Sequence, residues 1–195
     1  ASSCASAASS SPISASAGVT YELSDAVRLG LTASSAARAP AQTELFARGP
    51  HDGPLTFETG DPSLKIERAN SLEATMRYKF GSEGGRIEAS VWGARFNNYI
   101  FGALTGRTCD EDGVCAFNSP EELKELNYTQ LDAEFWGVEL QGDFPLTEAM
   151  GGKLSAQLLG DYVRAKFKNG AGNVPRIQPG RIGGGLTWGS ALIRL

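Results

Sequence analysis

The sequence predicts an all-β fold, an antiparallel up-and-down meander that forms part of a transmembrane β-barrel. Three observations predict it. Apolar and polar side chains alternate with a period of two over long stretches, which sends them to opposite faces of strands. These stretches run to about 10–16 residues, well beyond the 5–6 usual in soluble sheets. The connections between them are short and long in strict alternation, so a meander gathers the short turns at one end and the long loops at the other, as membrane barrels do.

Seven strands follow in order. Over 13–23, Ile13, Ala15, Ala17, Val19, Tyr21 and Leu23 alternate with Ser14, Ser16, Gly18, Thr20 and Glu22. Over 26–37, Val27, Leu29, Leu31 and Ala33 alternate with Arg28, Gly30, Thr32 and Ser34. The third, 69–80, sets Leu72, Ala74, Met76, Tyr78 and Phe80 against Glu73, Thr75, Arg77 and Lys79. The fourth, 86–101, changes phase: Ile87, Ala89 and Val91 precede Trp92, Ala94 and Phe96. The fifth, 127–144, does the same between Leu131, Ala133, Phe135 and Trp136, Val138, Leu140. A slip of one residue turns every later side chain to the other face. Either a β-bulge repairs it, with Phe135-Trp136 marking the place, or the strand leaves the apolar layer there. The sixth strand, 153–165, carries Leu154, Ala156, Leu158 and Tyr162 on one face, and the seventh, 180–188, carries Ile182, Leu186 and Trp188. Helix is scarce. Ser119-Pro120-Glu121-Glu122 has the spacing of a capping box with Pro at the first helical position, which predicts a turn or two over 120–126.

Ser24-Asp25, 81–85 and 145–152 are the short connections; 38–68, 102–126 and 166–179 are the long ones. Tyr21, Tyr78, Phe80, Phe144 and Trp188 fall at the short-turn end, while Phe96, Tyr99, Phe101, Tyr128 and Tyr162 fall toward the long loops. Two aromatic girdles are expected of a barrel. Glu88, Asp132, Glu134, Glu139, Gln141, Asp161 and Arg181 sit within strands, where a watery lumen would solvate them; a dry sandwich would need a partner for each.

The chain has 195 residues and a net charge of −4, which argues against a nucleic-acid footprint. No run approaches the ~20 apolar residues of a spanning helix. Residues 1–12 are a low-complexity start rich in Ala and Ser, without a signal peptide, so the chain reads as a processed form or a fragment.

Particular motifs carry a family resemblance. Ser35-Ala36-Ala37-Arg38-Ala39-Pro40, Glu44-Leu45-Phe46, Gly49-Pro50-His51 and Phe57-Glu58-Thr59-Gly60-Asp61-Pro62-Ser63-Leu64 resemble TonB-dependent outer-membrane receptors. So do 67–73, Tyr128-Thr129-Gln130-Leu131-Asp132-Ala133 with Gly137-Val138-Glu139, and Pro175-Arg176-Ile177-Gln178-Pro179-Gly180-Arg181. Their order is similar to the C-terminal part of the receptor barrel and assigns it residues 13–190; the branch of greatest similarity includes zinc-uptake receptors. The resemblance implies a barrel of 22 strands in the Gram-negative outer membrane. It also implies a plug domain and uptake energised by the inner-membrane TonB complex, with a metal ion or metal chelate, such as zinc or a siderophore-bound iron, as cargo. Seven strands supply part of such a wall, with neither plug nor TonB box, and the chain ends Ile193-Arg194-Leu195 where an aromatic is expected. Its partners would be outer-membrane lipid, the TonB complex through the missing plug, and a small metal-containing ligand. No tightly bound cofactor and no nucleic acid are expected.

The long loops hold the candidate sites. His51 and Asp52, with Glu58 and Asp61 nearby, combine an imidazole with carboxylates, a donor set suited to Zn²⁺; the alternative is a polar loop in which Gly-Pro-His-Asp-Gly-Pro only turns the chain. Asp110, Glu111 and Asp112 lie between Cys109 and Cys115. In an oxidising exterior these two cysteines form a disulfide; a dithiol metal site is the rival. Six acids and two bases in this loop leave it at 2 − 6 = −4, a field that concentrates cations, or else a plain solvated loop. Cys4 has no readable role. No nucleophile–base pair is visible, so no catalytic residue is expected. Two other classes remain: a soluble all-β binding module, lectin- or adhesin-like, and a carbohydrate-active enzyme using Asp132, Glu134 or Glu139.

Overall fold

The computed structural model describes residues 11–149 and 151–190; Cys4 and most of the low-complexity start lie outside them. In chain order the elements are β1 (Ala15–Glu22), β2 (Val27–Arg38), α1 (Gln42–Phe46), β3 (Arg48–His51), β4 (Thr56–Thr59), β5 (Glu67–Phe80), β6 (Gly85–Cys109), β7 (Cys115–Ala116), β8 (Leu123–Ala149), β9 (Gly152–Phe167), a 3₁₀ turn at Lys168–Gly170, and β10 (Arg181–Ser190). Seven are long, and they are the seven that the alternation predicts. All strands belong to one sheet, ordered β1-β2-β5-β6-β8, with β9 and then β10 continuing from β8. β1 and β2 pair antiparallel with Tyr21 opposite Leu29 and Val19 opposite Leu31. β9 and β10 pair antiparallel with Leu154 opposite Trp188 and Ala156 opposite Leu186.

The chain divides into two compact units. One comprises residues 11–14, 36–69 and 96–133; the other comprises 15–35, 70–95, 134–149 and 151–190. The second unit is wall. Its apolar rows face outward: Val19 is 64% exposed, Leu186 70% and Ile182 86%. A sandwich would bury such rows against a second sheet about 10 Å away. Here the same faces stay open, which suits hydrocarbon. Aromatic rings group near the short turns, with Phe80 5.6 Å from Phe144 and 5.8 Å from Tyr78.

Two expectations are corrected. No bulge marks the phase change between Val91 and Trp92. Arg86 reaches Asp143 at 2.8 Å and Arg95 reaches Glu134 at 3.4 Å. Both strands count nine residues between these pairs (95 − 86 and 143 − 134), so the register is unbroken. Nine is odd, so the two pairs occupy opposite faces. Glu134 therefore leaves the lumen set: it lies on the outward face with Val138, where the apolar layer gives way to an ion pair. The backbone break comes later, at Asn98, whose φ of 56° is rare outside Gly and Asn. Its N–H donates to Asp132 Oδ1 at 3.0 Å.

The helix over 120–126 does not form. The Glu121 N–H donates to Ser119 Oγ at 3.3 Å. From Leu123 the chain is strand instead, because β4 lies parallel to it with Thr56 opposite Lys124 and Thr59 opposite Asn127. Ladder pairing with a neighbouring segment outweighs a local cap worth ~1 kcal/mol.

Candidate functional site

The long-loop unit is built from three anchored pieces. At the base of the first loop, Arg38 donates from Nε and Nη2 to the two Glu67 carboxylate oxygens at 3.3 and 3.2 Å. Its Nη1 reaches Glu44 at 2.7 Å. Glu67 is buried, and it also accepts the Ile100 N–H at 2.7 Å. Glu44 in turn accepts the Ala41 N–H at 2.7 Å and so caps α1. Gly60 closes against this helix; a Cβ there would stand 2.5 Å from the backbone of Leu45 and Phe46. Asp61 accepts the N–H and hydroxyl of Ser63 at 2.8 and 2.6 Å, which depresses its carboxyl below the ordinary value. Asp61 thus turns the chain.

The second piece is the β3–β4 hairpin. It carries His51, whose Nδ1 lies 2.9 Å from Glu58 Oε1. Thr56 and Tyr128 hydroxyls donate to the same carboxylate at 3.2 and 3.0 Å. Burial pushes the Glu58 carboxyl up, but the bonds from His51, Tyr128 and Thr56 outweigh it and hold the group below its ordinary value. His51 is thereby joined to Glu58. The Asp52 side chain is exposed and has no hydrogen-bond or ion-pair partner among the described residues.

The third piece is the second loop. Cys109 and Cys115 face each other across the β6–β7 pair and are joined by a disulfide. Between them Asp110 accepts the Val114 N–H at 2.8 Å, and Gly113 turns with a φ of 85°. A Cβ at Gly113 would strike the buried ring of Phe57, so only glycine lets this acidic turn settle on β4. Glu111 and Asp112 point outward as exposed residues. Below them the buried Glu125 takes a two-pronged grip from Arg107, Nε and Nη2 both at 2.6 Å, and a third bond from Thr105 at 2.5 Å. Burial raises the Glu125 carboxyl, but these donors more than offset it and keep it ionised.

Among the described residues, one group of three potential metal ligands lies within 4.8 Å: Cys109, Cys115 and Glu125. Its sulfurs are bonded to each other, and its carboxylate is held by Arg107. The loop acids accordingly sort into two kinds. Glu58, Asp61, Asp110 and Glu125 hold the loops in shape, whereas Asp52, Glu111 and Asp112 face solvent. The sequence reading missed Arg38–Glu67 and Arg107–Glu125. The first pair depends on the β2–β5 register, which the Ser34–Ser71 hydrogen bond marks in the structure and which puts Arg38 opposite Glu67; the order of residues does not state that register. The second, 18 residues apart, had no signal either.

The profile of the family described as TonB dependent receptor-like, beta-barrel matches residues 5–193. The chain belongs to this family. The receptor barrel's fold is shared with two solved structures. One is the copper transporter OprC, at 22% identity and a TM-score of 0.65 over 90% of this chain. The other is the siderophore receptor PirA from Pseudomonas aeruginosa, at 14% identity and a TM-score of 0.53 over 78% of this chain. The receptor chain spans 24% of the first and 30% of the second. Barrels of this family are transport proteins of the Gram-negative outer membrane and not enzymes, which removes the carbohydrate-active alternative. Asp132 is bound to the Asn98 backbone and Glu134 to Arg95.

Proposed function

We propose that this chain supplies part of the wall and the outer loops of a receptor that takes up a metal ion or a metal chelate. Its ligand is captured by the first two long loops. The observation that carries the reading is the sorting of the loop acids. A frame pinned by Arg38, Arg107 and the disulfide holds out Asp52, Glu111 and Asp112, which have no hydrogen-bond or ion-pair partner among the described residues. Free carboxylates on a fixed mount draw a cation-bearing ligand and raise its local concentration. His51, more than half exposed beside Glu58, offers an imidazole to the same ligand. Zinc suits an imidazole with carboxylates, and an iron chelate suits the wider acidic mouth. The copper and siderophore receptors that share the fold favour metal-bearing cargo. Passage through the barrel requires a plug domain and the TonB complex, as the family implies.

The test is uptake of radioactive metal by cells bearing the whole receptor. Asp52→Asn with Glu111→Gln and Asp112→Asn is expected to slow uptake at limiting ligand by about tenfold, the low end of electrostatic steering, with wild-type rates restored at saturation. Uptake unchanged at every concentration would remove these loops from ligand capture.

A further inference from the structure

We propose that the Cys109–Cys115 hairpin is a redox-gated site for a soft divalent metal ion, closed while the two cysteines are joined and opened when they are reduced. In the oxidised chain the disulfide occupies both sulfurs. Cutting it keeps them neighbours, because the turn has holds of its own. Cys109 and Cys115 stand opposite each other in the β6–β7 ladder, next to Thr108 and Ala116. The Asp110 and Gly113 N–H groups donate to the Val114 and Asp110 carbonyls, both at 3.2 Å, and the Val114 N–H donates to Asp110 Oδ1 at 2.8 Å. A carboxylate oxygen of Glu125 lies within 4.8 Å of both sulfurs. Ligand atoms around a tetrahedral ion with bonds of ~2.0–2.3 Å stand roughly 3.5–4 Å apart. Small side-chain rotations therefore bring two thiolates and one carboxylate around a single ion.

The donors name the class of ion. Two thiolates select a soft or borderline cation such as Zn²⁺ over a hard one such as Ca²⁺. Glu125 is already oriented as a ligand. Its Oε2 accepts from Arg107 Nε and the Thr105 hydroxyl, but among the described residues its Oε1 accepts from Arg107 Nη2 alone, so a lone pair remains there. Arg107 is then the outer partner that fixes the carboxylate. Charge gates the site. With the disulfide closed, Glu125 and Arg107 cancel. With it open, two thiolates, Glu125 and Arg107 sum to −2 − 1 + 1 = −2, which a divalent ion neutralises. Cys109 is fully buried and Glu125 is 7% exposed, so that imbalance is costly without the ion, and the thiols keep their protons until it arrives. The half-buried Cys115 supplies the open side. There the thiolate of a dithiol reductant attacks the Cys115 sulfur, and the Cys109 sulfur leaves. The reductant's second thiol then frees Cys115 and closes a disulfide within the reductant. Two electrons pass to the protein sulfurs, the reductant's two thiol protons end on them, and the incoming ion displaces both protons. An oxidising exterior keeps the site closed, and a thiol-rich medium opens it. The inference stands apart from ligand capture, since Asp52, Glu111 and Asp112 take no part.

The test uses the whole receptor in detergent, reduced with a dithiol that is then removed without air, and titrated with Co²⁺, whose thiolate charge-transfer band reports metal–sulfur bonds. Reduced wild type is expected to show the band and to lose it to Zn²⁺, whereas oxidised wild type shows none. Cys4→Ala keeps the response, and Cys109→Ser with Cys115→Ser abolishes it. Alkylating the reduced wild type abolishes it without any substitution. Glu125→Gln binds at least about tenfold more weakly, the low end for losing even an outer partner of a metal site. In reduced wild type loaded with Zn²⁺, X-ray absorption is expected to find two sulfurs at ~2.3 Å and oxygen at ~2.0–2.2 Å. An equal band in the oxidised receptor, a response that survives the double serine variant, or a coordination shell with fewer than two sulfurs or with no oxygen overturns the site. Where Glu125→Gln does not fold, the wild-type coordination shell decides the third ligand.

Discussion

Glu58 carries most of the residue-scale chemistry in the first loop. Three elements, β3, β4 and β8, meet at its carboxylate through His51, Thr56 and Tyr128, with β4 lying parallel to β8. Its folded-state value lies below the ordinary 4.5, so its contribution to stability is present above that value. The contribution is lost as pH falls through the folded value. Protection of the β3–β4 hairpin amides, taken as exchange relative to the intrinsic rate at each pH, is expected to fall as pH drops below 4.5 in the wild type. In Glu58→Gln, exchange is faster at neutral pH and loses that acid step. A wild-type hairpin protected equally on both sides of the step would show that the carboxylate does not hold it. Tyr128→Phe removes one donor and should cost the hairpin ~1 kcal/mol by the same measurement. Little of this was legible in order of residues. His51 was readable as the single imidazole and Glu58 as a nearby acid, but their union depends on a hairpin turning between them, and Tyr128 comes from another strand 70 residues away.

At the scale of elements, the second loop is held by a disulfide spanning a separation of six residues. Thiol titration of the denatured protein should find two fewer thiols before reduction than after; all three free before reduction would exclude the bond. Cys109→Ser with Cys115→Ser is expected to destabilise the β6–β7 hairpin by about 2 kcal/mol on the chain-entropy account, seen as faster local exchange. The wall strands make a different prediction. Val138 faces outward on β8, so Val138→Arg should cost the inserted barrel ~2–4 kcal/mol if it lies near the midplane, measured by urea unfolding in vesicles. Gln141→Arg, on the polar face, should cost much less. Equal costs on both faces would contradict the assignment of faces. The strands were legible because alternation is local and each residue reports its own face. The helix over 120–126 was misread because a cap is local too, and nothing near it announces that β4 will arrive as a parallel neighbour.

At the scale of the whole molecule, the exposed apolar rows decide the solvent. Burying one Leu-sized side chain is worth ~2 kcal/mol, so a sheet leaving many of them open is tenable only where lipid covers them. Expressed by itself, this chain is expected to stay dispersed in detergent micelles and to aggregate when the detergent is removed, followed by light scattering. A clear monomeric solution without detergent would favour the soluble binding module. Among the described residues β1 and β10 each have a single neighbour in the sheet, which adds to the same hazard. By itself, the order of residues determined that the chain is a membrane meander: seven long strands, the end at which the long loops gather, and a family pattern running almost the full length. Those features are periodic or local, so each can be read from a few adjacent positions. Only the tertiary structure decided which loop acids are bonded and which stand without a partner among the described residues, and that Glu134 faces outward. Each of these depends on register, and register is set by every strand at once, since a shift of one residue would exchange the two faces.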